Sequence, residues 1–525
     1  MMLIGDIIRR EARIRSQKIA VVEGEKEFTY QEVNQRVNRL ANTLLKIGVV
    51  KGDKIAFMGN TSHQFMEFYF ATAKIGSIAV PINARFSSDE AEYVLKKAEV
   101  KLLIYNEDME ETVQKLRSNI SGITQFVSTG NTGHDVLFYE EFISNESDID
   151  PNQVVGPDDI AIIMFTSGAT GFPKGVIATQ RNIMANTNTM CLELDLGPED
   201  ISLLAMPLYH IGGLWPMLSM VYRGGTSILI PRFDLEPMFE MIQKRKVTFI
   251  NLVPTVLLRI ISHPNILSYN LESIRLIMHA AAPIPREQLK NAMKVFGPHR
   301  LTTGLGSTEA NGALIHFRSS EHALEGPMVS KLGSVGKDAM GVEIAIVDEE
   351  GREVPNGEPG EIIGKGDNIA PSYWKLPKES AESFRDGWLY TGDIGYRDQD
   401  GYIYIVDRKK DIIISGGENV ASREVEEVLH QHPSVYEAAV IGVPDNEWGE
   451  GVKAVIVLKG EFVGKVDDKE LMEFCRSRLA GYKRPRSIDF VAELPKNAAG
   501  KIDKVILKNH YKKLYEEMGI KSALG

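Results

Sequence analysis

The stretch FTSGATGFPKG, Phe165 to Gly175, follows directly on the apolar run IAIIMF. Gly168, Gly171 and Gly175 permit tight turns and close backbone approach, so backbone N–H groups can converge on an oxyanion. Thr166, Ser167 and Thr170 add hydroxyl donors, and Lys174 adds a positive charge. The pattern departs from the common phosphate loop G-x-x-x-x-G-K-[ST]. A bare Ser/Gly stretch reads equally well as a surface turn, but a lysine-closed one behind a buried strand favours a phosphate cradle.

Other chemically capable residues lie in short polar breaks. Thr308 and Glu309 stand in GLGSTEA, Asp393 in YTGDIG, Arg408 and Lys410 in VDRKKD, Lys501 in AAGKI, and His210 in PLYHIGG. Taken alone, each has an ordinary explanation. Glu309 reads as an acidic residue favoured by the dipole at a helix N-terminus. Asp393 beside Gly392 reads as a turn aspartate. Lys501 beside Gly500 reads as a solvated turn charge, DRKKD as a hairpin turn, and His210 as a structural histidine.

Periodicity supplies the elements that must hold these residues. Thr29 and Glu32 form a capping-box pattern, and Val33, Val37, Leu40, Leu44 and Ile47 recur at helical spacing up to Gly48. A strand-like KIAFMG follows, then the helical NTSHQFMEFYFATAKIG and the strand-like SIAVPI and VKLLIY. This alternation predicts layered α/β architecture. Residues 144–159 are polar, carry two prolines and read as a connecting loop. After DRKKD come a helix (SREVEEVLHQHP), two strands (VYEAAVIGVP, VKAVIVLKG) and a helix (DDKELMEFCRSRLA), a self-contained α+β unit. The expected domains are 1–408 and 409–525.

Bulk properties narrow the function. A chain of 525 residues exceeds one compact core. A net charge of -11 disfavours binding to nucleic-acid backbones, while leaving room for a local basic pocket. Two distant cysteines, Cys191 and Cys475, have neither disulfide nor zinc spacing and suit a reducing compartment. The amphipathic, charged N-terminus does not resemble a signal peptide, and no apolar run approaches the ~18 residues of a membrane span. A cytoplasmic protein is the expectation.

The phosphate-loop candidate resembles the signature of AMP-forming acyl-CoA synthetases, members of the adenylate-forming superfamily. Six further segments resemble that family in its own order: MPLYHIGGL, LVPTVL, GLGSTEA, GWLYTGDIG, VDRKKDIIISGGENV and PKNAAGKI. The resemblance implies a large N-terminal region of layered α/β subdomains and a small mobile C-terminal α+β domain. It implies ATP-dependent carboxylic acid:CoA ligation in two steps, with Mg²⁺ and coenzyme A, acting on a small-molecule carboxylate. In the first step the acid displaces pyrophosphate from ATP to form an acyl-adenylate. In the second, coenzyme A displaces AMP.

The same resemblance assigns roles. Thr166, Ser167, Gly168, Thr170, Gly171 and Lys174 would hold the β- and γ-phosphates. Thr308 would contact the α-phosphate, and Glu309, with Thr166, would serve Mg²⁺. Asp393 and Arg408 would hold the ribose, while Ala281, Leu305 and Gly306 would flank the nucleotide. Lys501 would bridge carboxylate and phosphate oxygens; with Glu309, Thr308 and Lys174 it makes the catalytic set. His210, Trp215, Ala280 and Gly304 would line the acyl pocket, and Gly416 and Gly417 would leave room for the pantetheine arm. Lys410 would be the hinge, and a homodimer is compatible with the family.

Three departures from the family stand out. Ala169 replaces a hydroxyl residue of the loop, Leu305 replaces an aromatic expected to pack on adenine, and Ala280 and Ala281 replace glycines. No lysine or arginine falls in the pocket segments that can be placed, which disfavours an acid with a second anionic group. Medium- or long-chain fatty, alicyclic and aryl acids stay open. The competing readings are an acyl-AMP ligase that loads a carrier protein, which the SGGENV segment and the lack of an appended carrier domain disfavour, and a nucleotide-binding protein without turnover.

Overall fold

A computed structural model describes residues 1–130, 136–166, 173–231, 233–280, 282, 284–496 and 501–517. Among these, four sheets organise the chain, the α/β layering expected. The first capping box is formed: the Thr29 hydroxyl accepts from the Glu32 N–H at the start of helix Tyr30–Lys46, and Gly48 follows with φ +87°.

The larger sheet has nine strands and the next seven. In the seven-stranded sheet, Lys54–Gly59, Ile78–Asn83 and Val100–Tyr105 run parallel, and Ile160–Thr166 pairs antiparallel with Lys174–Thr179 at its edge. In the nine-stranded sheet, Ile201–Leu204, Phe249–Leu252, Leu276–Ala280 and Leu301–Ser307 run parallel. Gly312–Phe317 then returns antiparallel.

Helices Tyr30–Lys46, His63–Ile75 and Ile211–Arg223 share one apolar core with strands of both sheets. Val37, Leu40, Phe65, Phe68, Leu214 and Met217 lie in it fully buried, together with Phe57 and Ile104. These helices are therefore sandwiched between the sheets, and each has to be apolar on more than one side. Separate helices cover the outer face of each sheet.

A third, five-stranded sheet contains Trp388–Arg397 paired with Ile403–Arg408. The chain leaves it after Arg408 and enters the fourth sheet at Ile413. That last sheet has helices on both faces, with Val425, Leu429 and Leu471 packed on one and Leu507 and Tyr511 on the other. Residues 145–159 carry no helix or strand, as their composition predicts, whereas Ser144, read as the first loop residue, ends helix Tyr139–Ser144. Cys191 and Cys475 are both buried free thiols. No helix among the described residues is long and apolar enough to cross a membrane.

Candidate active site

The glycine-rich segment connects two antiparallel strands, Ile160–Thr166 and Lys174–Thr179, with Thr166 directly opposite Lys174. The site is thus a hairpin, unlike the strand-to-helix turn of a common phosphate loop. Ser167, Gly168, Ala169, Thr170 and Gly171 lie outside the described residues, as does Ala281. At the rim, Lys174 Nζ sits 5.2 Å from the centre of the Tyr373 ring.

Thr308 and Glu309 lie in a four-residue turn between strands Leu301–Ser307 and Gly312–Phe317, closed by the Asn311 N–H donating to the Thr308 carbonyl at 2.9 Å. This corrects the helix-terminus reading of Glu309. The turn needs left-handed backbone, which Asn311 (φ +51°) and Gly312 (φ +137°) supply. The Asn311-Gly312 dipeptide is itself a hairpin signal that sequence inspection could have used.

Buried asparagines hold this turn in place. Asn311 Nδ2 donates to the Asn368 carbonyl at 2.8 Å, and Asn368 Nδ2 donates to the Ala310 and Ala313 carbonyls, each at 2.9 Å. Asn186 Oδ1 accepts from the Ala313 N–H at 3.0 Å. The Ala370 N–H then donates to the Glu309 carbonyl at 2.8 Å, and the Tyr373 hydroxyl donates to Glu309 Oε1 at 2.9 Å. Burial and the adjacent Glu309 charge push the Tyr373 hydroxyl's pKa up, so it remains a donor. Segment 368–374 therefore joins the Glu309 turn to the glycine-rich hairpin, where the Trp374 N–H donates to the Gly175 carbonyl at 2.6 Å. Tyr373 and Asn368 were missed in the sequence because their partners lie far along the chain.

Gly304 and Gly306 have a structural reason of their own. A Cβ at Gly304 would lie 2.3 Å from the Ile315 carbonyl oxygen, and one at Gly306 would lie 2.2 Å from that of Gly312. Leu305, half-buried between them, packs against the cluster of Ile315, Ile344 and Ile403.

Asp393 and Arg408 face one another across paired strands, with Arg408 Nε 2.7 Å from Asp393 Oδ1. Burial raises the Asp393 pKa, against the lowering pull of the Arg408, Lys501 and Arg423 charges. Lys501 comes from beyond the crossing at 408–413, yet it lies within electrostatic range of Arg408, Asp393 and Glu309. Its pKa is lowered, by burial first and by Arg408 second, with the two carboxylates opposing.

His210 belongs to the same neighbourhood. Burial, then Lys501 and Arg85, push its pKa down to about 4, so its imidazole is neutral near pH 7. Its Nε2 is buried without a hydrogen-bond partner among the described residues. Arg85 is a cation beside Tyr209 and His210 that the sequence reading did not place.

Trp215, Met278 and Ala280 share one apolar cluster on the face of the nine-stranded sheet where Gly304 lies opposite Ala280. Gly416 packs against Trp448, whose ring atoms would lie 2.4 Å from an added Cβ, while a Cβ on Gly417 would meet open space. Lys508 Nζ donates to the Lys410 carbonyl and to Asp411 Oδ1, each at 2.9 Å.

The arrangement gathers a lysine-rimmed hairpin loop, a fixed carboxylate, an Asp–Arg pair and a second lysine from the C-terminal unit. Such a set suits binding and charge neutralisation at a nucleotide triphosphate. Comparison with known proteins agrees. Residues 8–374 match the AMP-binding enzyme family, and residues 424–501 match the AMP-binding enzyme C-terminal domain. A feruloyl-CoA synthase of an Amycolatopsis species is 36% identical over 495 residues, covering 94% of this chain and 96% of that protein. The long-chain-fatty-acid–CoA ligase FadD13 of Mycobacterium tuberculosis is 32% identical over 517 residues, covering 97% and 98%. The crystal structure of the anthranilate CoA ligase AuaEII with anthranoyl-AMP superposes with a TM-score of 0.90 at 28% identity, covering 98% of each chain. The chain belongs to the AMP-binding enzyme family and is an AMP-forming acyl-CoA synthetase, using ATP with Mg²⁺ and coenzyme A as co-substrate.

Proposed function

We propose that the chain activates an aryl or extended acyl carboxylate at the site formed by Glu309, Asp393, Arg408 and Lys501. One observation carries this reading. Lys501, contributed by the C-terminal unit, lies within electrostatic reach of Glu309, Asp393 and Arg408 from the N-terminal region and of His210 on the acyl side. A lysine at a plain surface turn has no reason to be shared among so many groups.

In the first step a carboxylate oxygen attacks the α-phosphorus of ATP, and the bond to the bridging oxygen of pyrophosphate breaks. Negative charge accumulates on phosphate oxygens, so positioning and electrostatic stabilisation carry the catalysis. Lys501 offsets the repulsion between the two anions and holds them together, with Thr308 donating to the α-phosphate. Asp393 accepts from the ribose hydroxyls while Arg408 fixes its carboxylate. Thr166, Ser167, Gly168, Thr170, Gly171 and Lys174 hold the departing pyrophosphate. Glu309 offers a hard oxygen donor of the kind Mg²⁺ takes, with the Tyr373 bond orienting the carboxylate. Bound there with Thr166 and nucleotide oxygens, Mg²⁺ would neutralise charge on the phosphates.

In the second step the coenzyme A sulfur attacks the acyl carbon and AMP leaves. The turn centred on Lys410 is the pivot that moves Lys501 away and brings the Gly416–Gly417 segment in. The domains divide at 408/409. The acid lies on the face of Trp215, Met278, Ala280 and Gly304, reached past the neutral His210. The relatives' names span feruloyl and long-chain fatty acids, and the wholly apolar part of this lining accommodates either.

The test is acid-dependent pyrophosphate exchange across aryl and alkyl acids, followed by thioester formation on adding coenzyme A. Lys501→Ala is expected to abolish exchange while still converting a supplied acyl-adenylate to thioester. Equal loss of both steps would refute the assignment of Lys501 to adenylation alone.

A further inference from the structure

Strand Phe249–Leu252 lies inside the nine-stranded sheet, between Ile201–Leu204 and Leu276–Ala280. A polar residue there needs a reason, and Asn251 is only 6% exposed. It sits in register with Met278, so both side chains lie on one face of the sheet, the face that carries Ala280, Trp215 and Gly304.

Half of its amide is accounted for by a defect in the facing helix. Helix Ile211–Arg223 contains Pro216, which has no N–H to donate to the carbonyl four residues earlier. That carbonyl is Gly212, and Asn251 Nδ2 donates to it at 2.7 Å. A carbonyl oxygen can only be served by the NH₂ end of the amide, so the orientation of Asn251 is fixed.

Its oxygen, Oδ1, is left as an acceptor, since the one hydrogen bond the Asn251 side chain makes among the described residues is the Nδ2 donation to Gly212. Beside the Asn251 amide, on its nitrogen side, is room that Gly212 leaves unfilled. A Cβ on Gly212 would lie 3.5 Å from Met206 Cε and 3.9 Å from Asn251 Nδ2, at ordinary contact distance. An unpartnered acceptor oxygen, on a residue only 6% exposed, therefore stands on a lining otherwise built from Met206, Trp215, Met278 and Ala280.

We infer that Asn251 is a specificity-determining residue that accepts a hydrogen bond from the acid. The substrate class is then an aryl carboxylate bearing a donor on its ring, a phenolic hydroxyl or an arylamine. An alkyl chain leaves the acceptor unpaired, and an anionic tail meets an oxygen. Sites built to receive a substrate OH or NH discriminate strongly against analogues that lack it, because the buried group is then stranded. This inference rests on the ligase reading above.

The experiment measures kcat/KM for pyrophosphate exchange with matched acids: cinnamate against its 3- and 4-hydroxy forms, benzoate against its aminobenzoates, and straight-chain alkyl acids. The expected result is a preference of about tenfold or more for one donor-bearing acid over its parent. Asn251→Leu alone would orphan the Gly212 carbonyl and disturb the helix. It is therefore made in a Pro216→Ala background, where an N–H at residue 216 restores the helical bond. Pro216→Ala is expected to keep the preference, and Pro216→Ala/Asn251→Leu to flatten it. Equal kcat/KM for donor-bearing and parent acids at every ring position would overturn the inference, as would a preference that survives in the double variant. No exchange with any acid would instead overturn the ligase reading, and this inference with it.

Discussion

Tyr373→Phe removes one hydroxyl, which serves the proposed metal carboxylate and also shares a hydrogen bond with the Ser383 side chain. The substitution removes the hydroxyl that donates to Glu309 Oε1 at 2.9 Å and keeps the ring beneath Lys174. The cation–ring contact therefore survives. A hydrogen bond to a charged group contributes about 1.5–3 kcal/mol. The backbone of Glu309 stays anchored by Ala370, so only the carboxylate gains freedom. At the upper end of that range, roughly half the bond's worth lost to disorder of that group is about 1.4 kcal/mol, or tenfold in an equilibrium constant. The expected outcome is a rise of about tenfold in the Mg²⁺ concentration that half-saturates pyrophosphate exchange, with ATP and acid saturating. Calorimetric titration of Mg²⁺·ATP should show a matching loss of affinity, and thioester formation from a supplied acyl-adenylate should be unchanged. If the variant merely loosens the fold, its melting temperature falls while the Mg²⁺ requirement stays put. An unchanged Mg²⁺ requirement with unchanged Mg²⁺·ATP affinity would refute the role assigned to Tyr373 and weaken that of Glu309.

Other perturbations test the neighbouring assignments. Leu305→Tyr restores an aromatic beside the proposed adenine site, and stacking of about 1–3 kcal/mol should lower the KM for ATP by about tenfold; an unaltered KM would place adenine elsewhere. Asp407→Ala strips the carboxylate that accepts from the Ser422 N–H and hydroxyl at 2.5 and 2.8 Å at the start of helix Ser422–His430. A cap of this kind contributes about 1–2 kcal/mol, so proteolysis within residues 409–412 should accelerate; unchanged digestion would count against the contact. His63 tests pH dependence. Burial opposes its charge, but Glu140, Glu23 and Glu67 outweigh that and lift its pKa from 6.5 to about 9. Because the folded value is raised, the stabilisation is complete below pH 6.5 and is lost as pH climbs through 9. The gap in denaturation midpoint between the wild type and His63→Gln should be widest near pH 6, reflect about 3 kcal/mol, and close by pH 10. A constant gap would mean that packing, not charge, explains the residue.

What the sequence disclosed and withheld follows from the range of each interaction. The capping box at Thr29 and Glu32 is local, and it formed as read. The turn at Thr308–Asn311 was also local, but the STEA segment drew attention to acidic residues at helix starts and away from the Asn311-Gly312 pair that makes a hairpin. Pro216 would ordinarily argue against a helix over Ile211–Arg223. A residue in another element, Asn251, supplies the donor that Pro216 lacks. No window of sequence contains both. The same holds for Tyr373 with Glu309 and for Asn368 with Asn311, whose partners are 64 and 57 residues away.

The strand end at Asp407–Arg408 shows how the site and the C-terminal unit are tied together. Adjacent residues on a strand project to opposite sides. Arg408 turns to Asp393 in the proposed ribose site, while Asp407 turns to the first helix of the C-terminal unit. Lys504 of that unit extends the contact, donating to the Ser422 hydroxyl at 2.6 Å and pairing with Glu426 at 2.7 Å. Beyond Arg408, the Lys409 N–H still bonds the Gly392 carbonyl, whereas the Lys410 carbonyl is already held by Lys508 of the C-terminal unit. The handover thus falls between two consecutive residues, inside a tight turn in which the Asp411 and Ile412 N–H groups donate to the Arg408 carbonyl at 2.8 and 3.1 Å. A hinge there would concentrate its change in these few positions. Rotation about that point would withdraw Lys501 from Asp393 and Glu309. It would strain the Asp407 cap in the same movement, because both belong to one short connection. On the pivot proposed at Lys410, adenylation geometry and interdomain contact would form a single equilibrium, and a variant at Asp407 should shift the balance between half-reactions without touching a substrate.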